Sequence, residues 1–260
     1  MTPPTVRDGT RVDVGRRRVV DEETKVAVDP ETEEAVDEEA MDRPGTPLVW
    51  YVSYGSNLRS SRLAYYLAGG AMPGTTHAYP GCRDRRPPRA AAPLLLPGSV
   101  YFALESKVWG GGMAFYDPAA PGLAAARAYL LSRQQFVDVA AQEMHREPGG
   151  DLDLTALTAR PGAGRAVLGP GRYETVLLVG YWGPVPLLTF TAPWALADVA
   201  PTAPSGAYLD MLAAGLRESH GWPPARIAAY LAGLPGAHGV WQPDEIAGRL
   251  SAAEATEPAG

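Results

Sequence analysis

The stretch VWYVSYGSNLRSSRLAYYLAGG, residues 49–70, carries the pattern from which the fold can be inferred. Residues 48–52 are apolar and rich in β-branched and aromatic side chains, which is typical of a half-buried β-strand. Beyond Gly55, apolar side chains recur at helical spacing as far as Gly69-Gly70, a common end for a helix. The stretch therefore predicts a strand, a tight turn and a helix.

The turn itself, Tyr54-Gly55-Ser56-Asn57-Leu58, is unusually polar for a strand-to-helix junction. A helix N-terminus presents unpaired backbone N–H groups and a partial positive charge, so it favours an anion or a polarised carbonyl. Gly55 permits close approach of a ligand, and the Asn57 amide can both donate and accept hydrogen bonds. An ordinary turn capped by Ser56 or Asn57 is the alternative that the pattern leaves open.

The acidic net charge of the chain, −6 over 260 residues, is concentrated in its first 46 residues. These carry 13 acidic and 7 basic side chains, whereas the remaining 214 residues carry 16 of each. A neutral globular part lacks the basic field that nucleic-acid binding needs, so we expect no nucleic-acid partner. No run of about 18 apolar residues is present, and no apolar signal region follows Arg16-Arg17-Arg18. We therefore expect a cytoplasmic protein without a membrane partner.

Three segments are predicted along the chain. Residues 1–46 have no aromatic side chain and no sustained periodicity, so we expect a disordered acidic arm. Removal of this arm is expected to leave folding and turnover intact. Residues 47–250 alternate between strand-like and helix-like pieces and are expected to form one α/β domain. Residues 251–260 are expected to form a flexible tail.

The predicted domain contains further strands and helices, separated by loops rich in proline, glycine and arginine, of which residues 79–97 are the longest example. A hydrophobic content of 46% is ample for a core. The predicted strands are 99–104, 111–116, 126–131, 173–182 and 186–192, and the predicted helices are 58–67, 132–146, 206–219 and 224–231.

The candidate general base lies on the predicted helix 132–146. Ser132 and Gln135 have the spacing of a capping box at the start of this helix. On a helical projection Glu143 falls at the edge of the apolar face, whereas Asp138 lies on the polar face and points to solvent. A carboxylate held against apolar neighbours has a raised pKa, which suits a general base.

Several alternatives to this interpretation of Glu143 stay open or fail. A rim glutamate paired with an arginine is the structural alternative, and Glu105 and Glu147 are competing candidates for the base. A zinc site built on Glu143, His145 and Glu147 fails because residues two apart diverge on a helix. The single cysteine, Cys82, excludes an internal disulfide and is expected to be buried. We therefore expect neither a metal nor a cofactor.

The motif Tyr54-Gly55-Ser56-Asn57-Leu58 after a first strand resembles the signature of the γ-glutamylcyclotransferase-like family. Trp109-Gly110-Gly111 resembles the tryptophan and paired glycines that come next in family order. Gln142-Glu143 resembles the Gln-Glu pair that supplies the family's catalytic glutamate, and Tyr208 matches the tyrosine of its C-terminal Pro-Ser-x-x-Tyr helix. The resemblance spans residues 48–233.

This resemblance implies a mixed, partly closed β-sheet flanked by helices, in the α+β part of the α/β class. It also implies an enzyme that cyclises a small-molecule γ-glutamyl amide to 5-oxoproline and releases a free amine, with Glu143 as general acid/base and no cofactor. Family members differ in the amine, so the resemblance specifies neither the leaving group nor an oligomeric state. The implied substrate-binding residues are Tyr54, Gly55, Ser56, Asn57, Leu58, Trp109, Gly110 and Tyr208.

A non-catalytic binding module that uses the same pocket is the alternative function. A serine hydrolase is unsupported because Ser56 lacks the G-x-S-x-G elbow. Residues 144–172 have no counterpart in the small family members, and this insertion and the proline-rich loop 79–97 are expected to reshape the pocket.

Overall fold

The computed structural model describes residues 19–21, 25–28, 47–72, 78–150, 152, 154, 157 and 164–256. Two short 3₁₀ helices cover Ser56–Leu58 and Leu196–Asp198. The strands are β1 (Val19–Asp21), β2 (Val26–Val28), β3 (Leu48–Ser53), β4 (Gly70–Ala71), β5 (Ala78–Tyr79), β6 (Ala91–Pro97), β7 (Ser99–Ala103), β8 (Met113–Asp117), β9 (Leu123–Ser132), β10 (Gly164–Val167), β11 (Thr175–Trp182) and β12 (Val185–Thr191). The helices are α1 (Ser60–Ala68), α2 (Arg133–Glu143), α3 (Gly206–His220), α4 (Pro224–Gly233) and α5 (Pro243–Thr256).

The main sheet has the strand order β1-β2-β6-β9-β3-β12-β11-β10, and the pairs β4-β5 and β7-β8 stand apart from it. Neighbouring strands of the main sheet are antiparallel, except for the parallel pair β3 and β12. Asp21 of β1 accepts a hydrogen bond from the backbone N–H of Tyr181 in β11 at 2.6 Å, although these strands lie near opposite ends of the sheet. The sheet is therefore curled and partly closed, which confirms the predicted fold class.

Both faces of the sheet are covered by helices, and the alternation along β3 shows how. Val49 and Tyr51 lie in the cluster that α1 and α2 contribute to, whereas Trp50 and Val52 lie in the cluster that includes α3, α4 and α5. Side chains of a strand point alternately to its two faces, so a strand buried on both sides has a continuous apolar run. Trp50 stacks on Trp182 with ring centroids 4.9 Å apart.

The sequence pattern does not predict strand β6, because the proline content of residues 79–97 favours assignment to a loop. That assignment is wrong at Ala91–Pro97, which lies in the interior of the sheet between β2 and β9. Proline is usually confined to sheet edges because it donates no backbone hydrogen bond. Here β2 pairs only with Leu94 and Leu95, so both prolines of β6 lie beyond the end of that short neighbour. Strand β10 and helix α5 were also missed.

The predicted disordered arm is wrong at β1 and β2, which belong to the main sheet. Val26 and Val28 are 1% and 8% exposed and form part of the core. Averaging the composition over 46 residues hid these short β-branched runs, and their pairing partner β6 is distant in sequence. Because removal of residues 1–46 would take β1 and β2 out of the main sheet, the structure gives a reason to expect a loss of stability instead of the predicted lack of effect. Apart from Lys25, the rest of the arm lies outside the described residues.

The predicted flexible tail is also wrong over most of its length, because α5 continues to Thr256. Ile246 and Leu250 of this helix are 1% and 5% exposed and pack into the core. Residues 257–260 lie outside the described residues. None of the described helices is both long and apolar enough to cross a membrane.

Candidate active site

The polar turn after β3 forms a short 3₁₀ helix rather than a side-chain-capped helix start. The predicted capping by Ser56 or Asn57 is wrong, since Gly55 precedes the 3₁₀ helix and Arg59 precedes α1, both without a side-chain cap. The backbone N–H groups of Gly55, Ser56 and Asn57 donate to no acceptor in the described part of the chain. Three unpaired donors at one turn suit an anionic group of a ligand.

Two cavities meet at this turn. The small cavity has a volume of about 50 Å³, room for a few water-sized groups, and the large cavity has about 470 Å³, within the range of small-molecule sites. Four residues line both of them: Ser56, Glu143, Tyr173 and Tyr208. A ligand that spans both cavities would therefore pass the Glu143 carboxylate.

Glu143 is the last residue of α2, and the sequence around the start of this helix explains its placement. Ser132 and Gln135 form the predicted capping box, in which each side chain accepts the other residue's backbone N–H. Burial raises the pKa of the Glu143 carboxyl, while the charge of Arg62 and hydrogen bonds from Tyr66 and Asn57 act to lower it. Desolvation outweighs these charge-stabilising contacts, which is the condition expected of a general base.

The Asn57 side chain links the turn to Glu143. Its Nδ2 lies 3.2 Å from Glu143 Oε1 and 3.1 Å from the Tyr51 hydroxyl, and it donates to both. The Asn57 Oδ1 and the Thr189 hydroxyl are buried and have no hydrogen-bond partner among the described residues. Asn57, Thr189 and Glu143 all line the small cavity. Their oxygens are the acceptors that an ammonium group with its three N–H donors requires.

An aromatic pair forms another wall of the site. Trp109 and Tyr208 both line the large cavity, and their rings stack with centroids 5.6 Å apart. Ser205, the N-cap of α3, donates from its hydroxyl to the Trp109 carbonyl at 2.6 Å and accepts from the Tyr208 N–H at 3.2 Å. The Pro-Ser-x-x-Tyr segment therefore holds both the helix start and the tryptophan loop.

Not every predicted site residue reaches a cavity. Leu58 is 2% exposed and packs in the core, and its carbonyl accepts a hydrogen bond from the Tyr129 hydroxyl at 3.2 Å. Gly110 lines neither cavity and has a φ of +70°, so its glycine is required by the backbone conformation. Tyr54 lines the small cavity, but its hydroxyl donates to the carbonyl of Phe190 at 2.8 Å. The predicted residues brought together are Tyr54, Gly55, Ser56, Asn57, Glu143 and Tyr208 at the small cavity, and Ser56, Trp109, Glu143 and Tyr208 at the large one.

The competing carboxylates lie elsewhere. Glu105 and Glu147 are exposed and line neither cavity. Asp138, predicted to point to solvent, is fully buried and pairs with the Arg83 side chain at 2.9 Å. That prediction is wrong because the loop after β5 covers the polar face of α2, where Gln142 also donates to the Tyr66 carbonyl at 3.0 Å. Glu143 is thus the carboxylate of α2 that faces the cavities.

Several lining residues escaped the sequence analysis. Arg62 and Tyr66 stand four residues apart on α1, a spacing at which helical side chains meet, and the Arg62 Nη2 donates to the Tyr66 hydroxyl at 3.3 Å. The spacing of four residues could therefore have predicted the contact between these two side chains from the sequence. Further missed residues come from distant parts of the chain, and no local pattern connects these parts: Tyr79, Lys107, His145, the adjacent pair Arg172 and Tyr173, and Thr189.

Within the described residues, no group of three or more His, Cys, Asp or Glu side chains could hold a metal ion. Cys82 is buried as expected. Burial, with the nearby charge of Asp138, raises the pKa of its thiol to about 12. Such a thiol is not a nucleophile at neutral pH.

No family model matches the chain. Histone deacetylase 5 of Arabidopsis thaliana is 31% identical over 185 residues, and the match covers 65% of this chain and 28% of the deacetylase. The chain therefore spans little more than a quarter of that relative's length.

Two solved structures are similar to this chain in fold. A gamma-glutamyl cyclotransferase has a TM-score of 0.41 and 13% identity, with 79% of this chain and 99% of that chain covered. An uncharacterized protein from Homo sapiens, loc79017, has a TM-score of 0.42 and 13% identity, with 78% of this chain and 98% of that chain covered.

Proposed function

We propose that this chain cyclises a γ-glutamyl amide to 5-oxoproline and releases the free amine, with Glu143 as the general acid/base. The observation that carries the proposal is the pairing of Glu143 with Asn57 at 3.2 Å, beside three unpaired backbone N–H groups of the same turn. A carboxylate with a raised pKa next to an anion-binding turn suits a substrate that has an amine to deprotonate and an oxyanion to stabilise.

The γ-glutamyl group carries its own nucleophile. Its α-amine attacks the γ-carbonyl carbon and closes a five-membered ring, and the bond from that carbon to the amide nitrogen then breaks. Intramolecular attack of this kind has a high effective molarity, so the protein has to fold the chain and move protons. Glu143 takes one proton from the α-ammonium group before attack and a second from the ring nitrogen after attack, and it passes each to the leaving nitrogen, so the amine departs as an ammonium ion and Glu143 returns to its carboxylate form.

In this proposal the small cavity binds the α-ammonium and α-carboxylate groups of the glutamyl unit. The Asn57 Oδ1 and the Thr189 hydroxyl can accept from the α-ammonium group before its proton moves to Glu143. The N–H groups of Gly55, Ser56 and Asn57 can donate to the α-carboxylate or to the developing oxyanion. In this arrangement the stacked Trp109 and Tyr208 rings border the leaving amine in the large cavity.

Incubation of the purified chain with a panel of γ-glutamyl amino acids, peptides and amines, followed by quantification of 5-oxoproline, tests the proposal. We expect 5-oxoproline and free amine in equal amounts from at least one compound. Glu147→Gln is the matched control for Glu143→Gln, since Glu147 is exposed and lies outside both cavities. Binding of these compounds without any 5-oxoproline would instead indicate a binding module.

A further inference from the structure

We infer that the large cavity contains a carboxylate subsite, formed by Lys107 and Arg172 together with the buried Arg62, which selects leaving amines that carry a carboxylate. The substrates would then be γ-glutamyl amino acids or short γ-glutamyl peptides, rather than γ-glutamyl derivatives of uncharged amines. This inference rests on the proposed function for the position of the leaving amine.

The charges that line the large cavity are unbalanced. Arg62, Lys107 and Arg172 face a single carboxylate, that of Glu143. Neither Lys107 nor Arg172 forms an ion pair within the described part of the chain, and the Arg172 Nη1 donates to the Met113 sulfur, a weak acceptor, at 3.2 Å. Cations that line a concave surface focus a positive potential into it, which favours an anionic ligand.

Arg62 adds a buried positive charge to the lining of the large cavity. The residue is 4% exposed, and its Nη2 donates to the Tyr79 hydroxyl at 2.6 Å. Its Nε and Nη1 have no hydrogen-bond partner among the described residues. The rings of Tyr66 and Tyr79 lie beside the guanidinium, with centroids 4.7 and 4.6 Å from its Cζ, and neither ring neutralises the charge. The arginine therefore keeps a positive charge close to the reacting groups.

The proton transfer moves positive charge from the substrate to Glu143, which lines the large cavity. When Glu143 accepts a proton from the α-ammonium group, the total charge of protein and substrate is unchanged, but the positive charge leaves the ammonium group and the lining of the large cavity then carries the three cations without a carboxylate. A carboxylate on the leaving amine compensates for this change, so it stabilises the protonated form of Glu143 at the step where the ring closes. The preference should therefore be visible in kcat as well as in KM.

The size of the large cavity agrees with a substituted amine. Its volume of about 470 Å³ greatly exceeds that of the small cavity, about 50 Å³, where the glutamyl end groups are placed. Ser56, Glu143, Tyr173 and Tyr208 line both cavities, so a γ-glutamyl amide bound as proposed would have its scissile bond at their junction and its leaving amine in the large cavity. An amino acid or a dipeptide fits within such a volume.

Paired substrates that differ only in the carboxylate test the subsite. γ-Glutamyl-alanine is compared with γ-glutamyl-alaninamide, and γ-glutamyl-alanyl-glycine with its C-terminal amide, by kcat and KM for 5-oxoproline formation. We expect each acid to have a kcat/KM about tenfold or more above that of its amide, the effect of a lost charge-assisted hydrogen bond. The pair with the larger ratio identifies an amino acid or a peptide as the leaving group.

Substitutions of the cavity cations test which residues cause the preference for the acid over the amide substrate. Lys107→Gln and Arg172→Gln should each reduce the ratio, and the double variant should bring it close to one. Arg85→Gln, which removes an exposed arginine outside the cavity, should leave the ratio unchanged. Circular dichroism of each variant checks that it is folded. Lys107→Gln is the variant least able to disturb the core, because the Lys107 side chain is exposed. Raising the salt concentration should also lower the ratio, because salt screens exposed charges.

Failure of the subsite and failure of the proposed function give different results. Equal kcat/KM for acid and amide in the wild-type protein overturns the subsite and leaves the cyclisation standing. Absence of 5-oxoproline from every compound overturns the cyclisation, and calorimetric titration with the same ligand pairs then decides the subsite separately. Equal affinity for acid and amide in that titration overturns it, whereas tighter binding of the acid that is lost in Arg172→Gln supports it.

Discussion

Replacement of Glu143 by glutamine is the most direct test of the proposed chemistry. The side-chain oxygen of the introduced glutamine could still accept the Asn57 Nδ2 hydrogen bond that Glu143 accepts at 3.2 Å, so the shape of the site should survive. The amide cannot take up the ammonium proton. We therefore expect kcat to fall by about 10²-fold to 10⁴-fold, the usual effect of losing a general base. At about 1.4 kcal/mol per factor of ten, this is about 3–5 kcal/mol of transition-state stabilisation.

The assay is the rate of 5-oxoproline formation as a function of pH. The base must be deprotonated, so the wild-type rate should rise with pH through the pKa of Glu143, which burial raises above 4.5. The Glu143→Gln variant should lose this ascending limb, while substrate affinity changes little. Glu147→Gln should behave as the wild-type protein, since that side chain is exposed.

The same substitution should stabilise the protein at neutral pH. Because the folded-state pKa of Glu143 is raised, its favourable contribution is fully present below the ordinary pKa of 4.5 and is lost as pH rises through the folded-state pKa. Above that range the ionised carboxylate costs stability, and glutamine removes the cost. We expect a melting temperature at pH 7 above that of the wild-type protein, with the advantage disappearing below about pH 4.5. Near wild-type turnover in Glu143→Gln, on a substrate that the wild-type protein cyclises, would refute the assignment of the base.

The Asn57→Ala variant loses a hydrogen bond that lowers the pKa of Glu143, so the ascending limb of the variant's pH–rate profile should lie at higher pH. An ascending limb at the wild-type pH would show that the Asn57 side chain does not affect the titration of Glu143. Deletion of residues 1–46 should lower the free energy of unfolding, measured in urea, by at most about 3–6 kcal/mol. The estimate comes from the two buried valines of β2, at about 1.5–3 kcal/mol each. An unchanged free energy of unfolding would show that residues 1–46 are dispensable for folding. Gly112→Ala should cost about 1–3 kcal/mol in the same measurement, because its Cβ would lie 2.1 Å from a backbone oxygen, whereas Gly150→Ala, with open space around it, should cost little.

Local sequence patterns determined the elements that carry the chemistry. The apolar run of residues 48–52, the helical spacing beyond Gly55 and the capping box of Ser132 and Gln135 each involve neighbours within a few residues, and the observed elements follow them closely. The family resemblance added the prediction that the turn and Glu143 share a pocket. That prediction rests on two short motifs that lie far apart in the chain, Tyr54–Leu58 and Gln142-Glu143.

Tertiary structure alone decided the remainder, because it depends on partners that are distant in sequence. The strand β6 contains two prolines and is a strand because β9 pairs with it along its whole length and β2 along a part. Asp138 is buried because a loop from another segment brings Arg83 to it. The cations of the large cavity come from α1, from the loop after β7 and from the segment before β11. Burial, pairing and net charge at a cavity are properties of the assembled chain, so no local window of the sequence contains them.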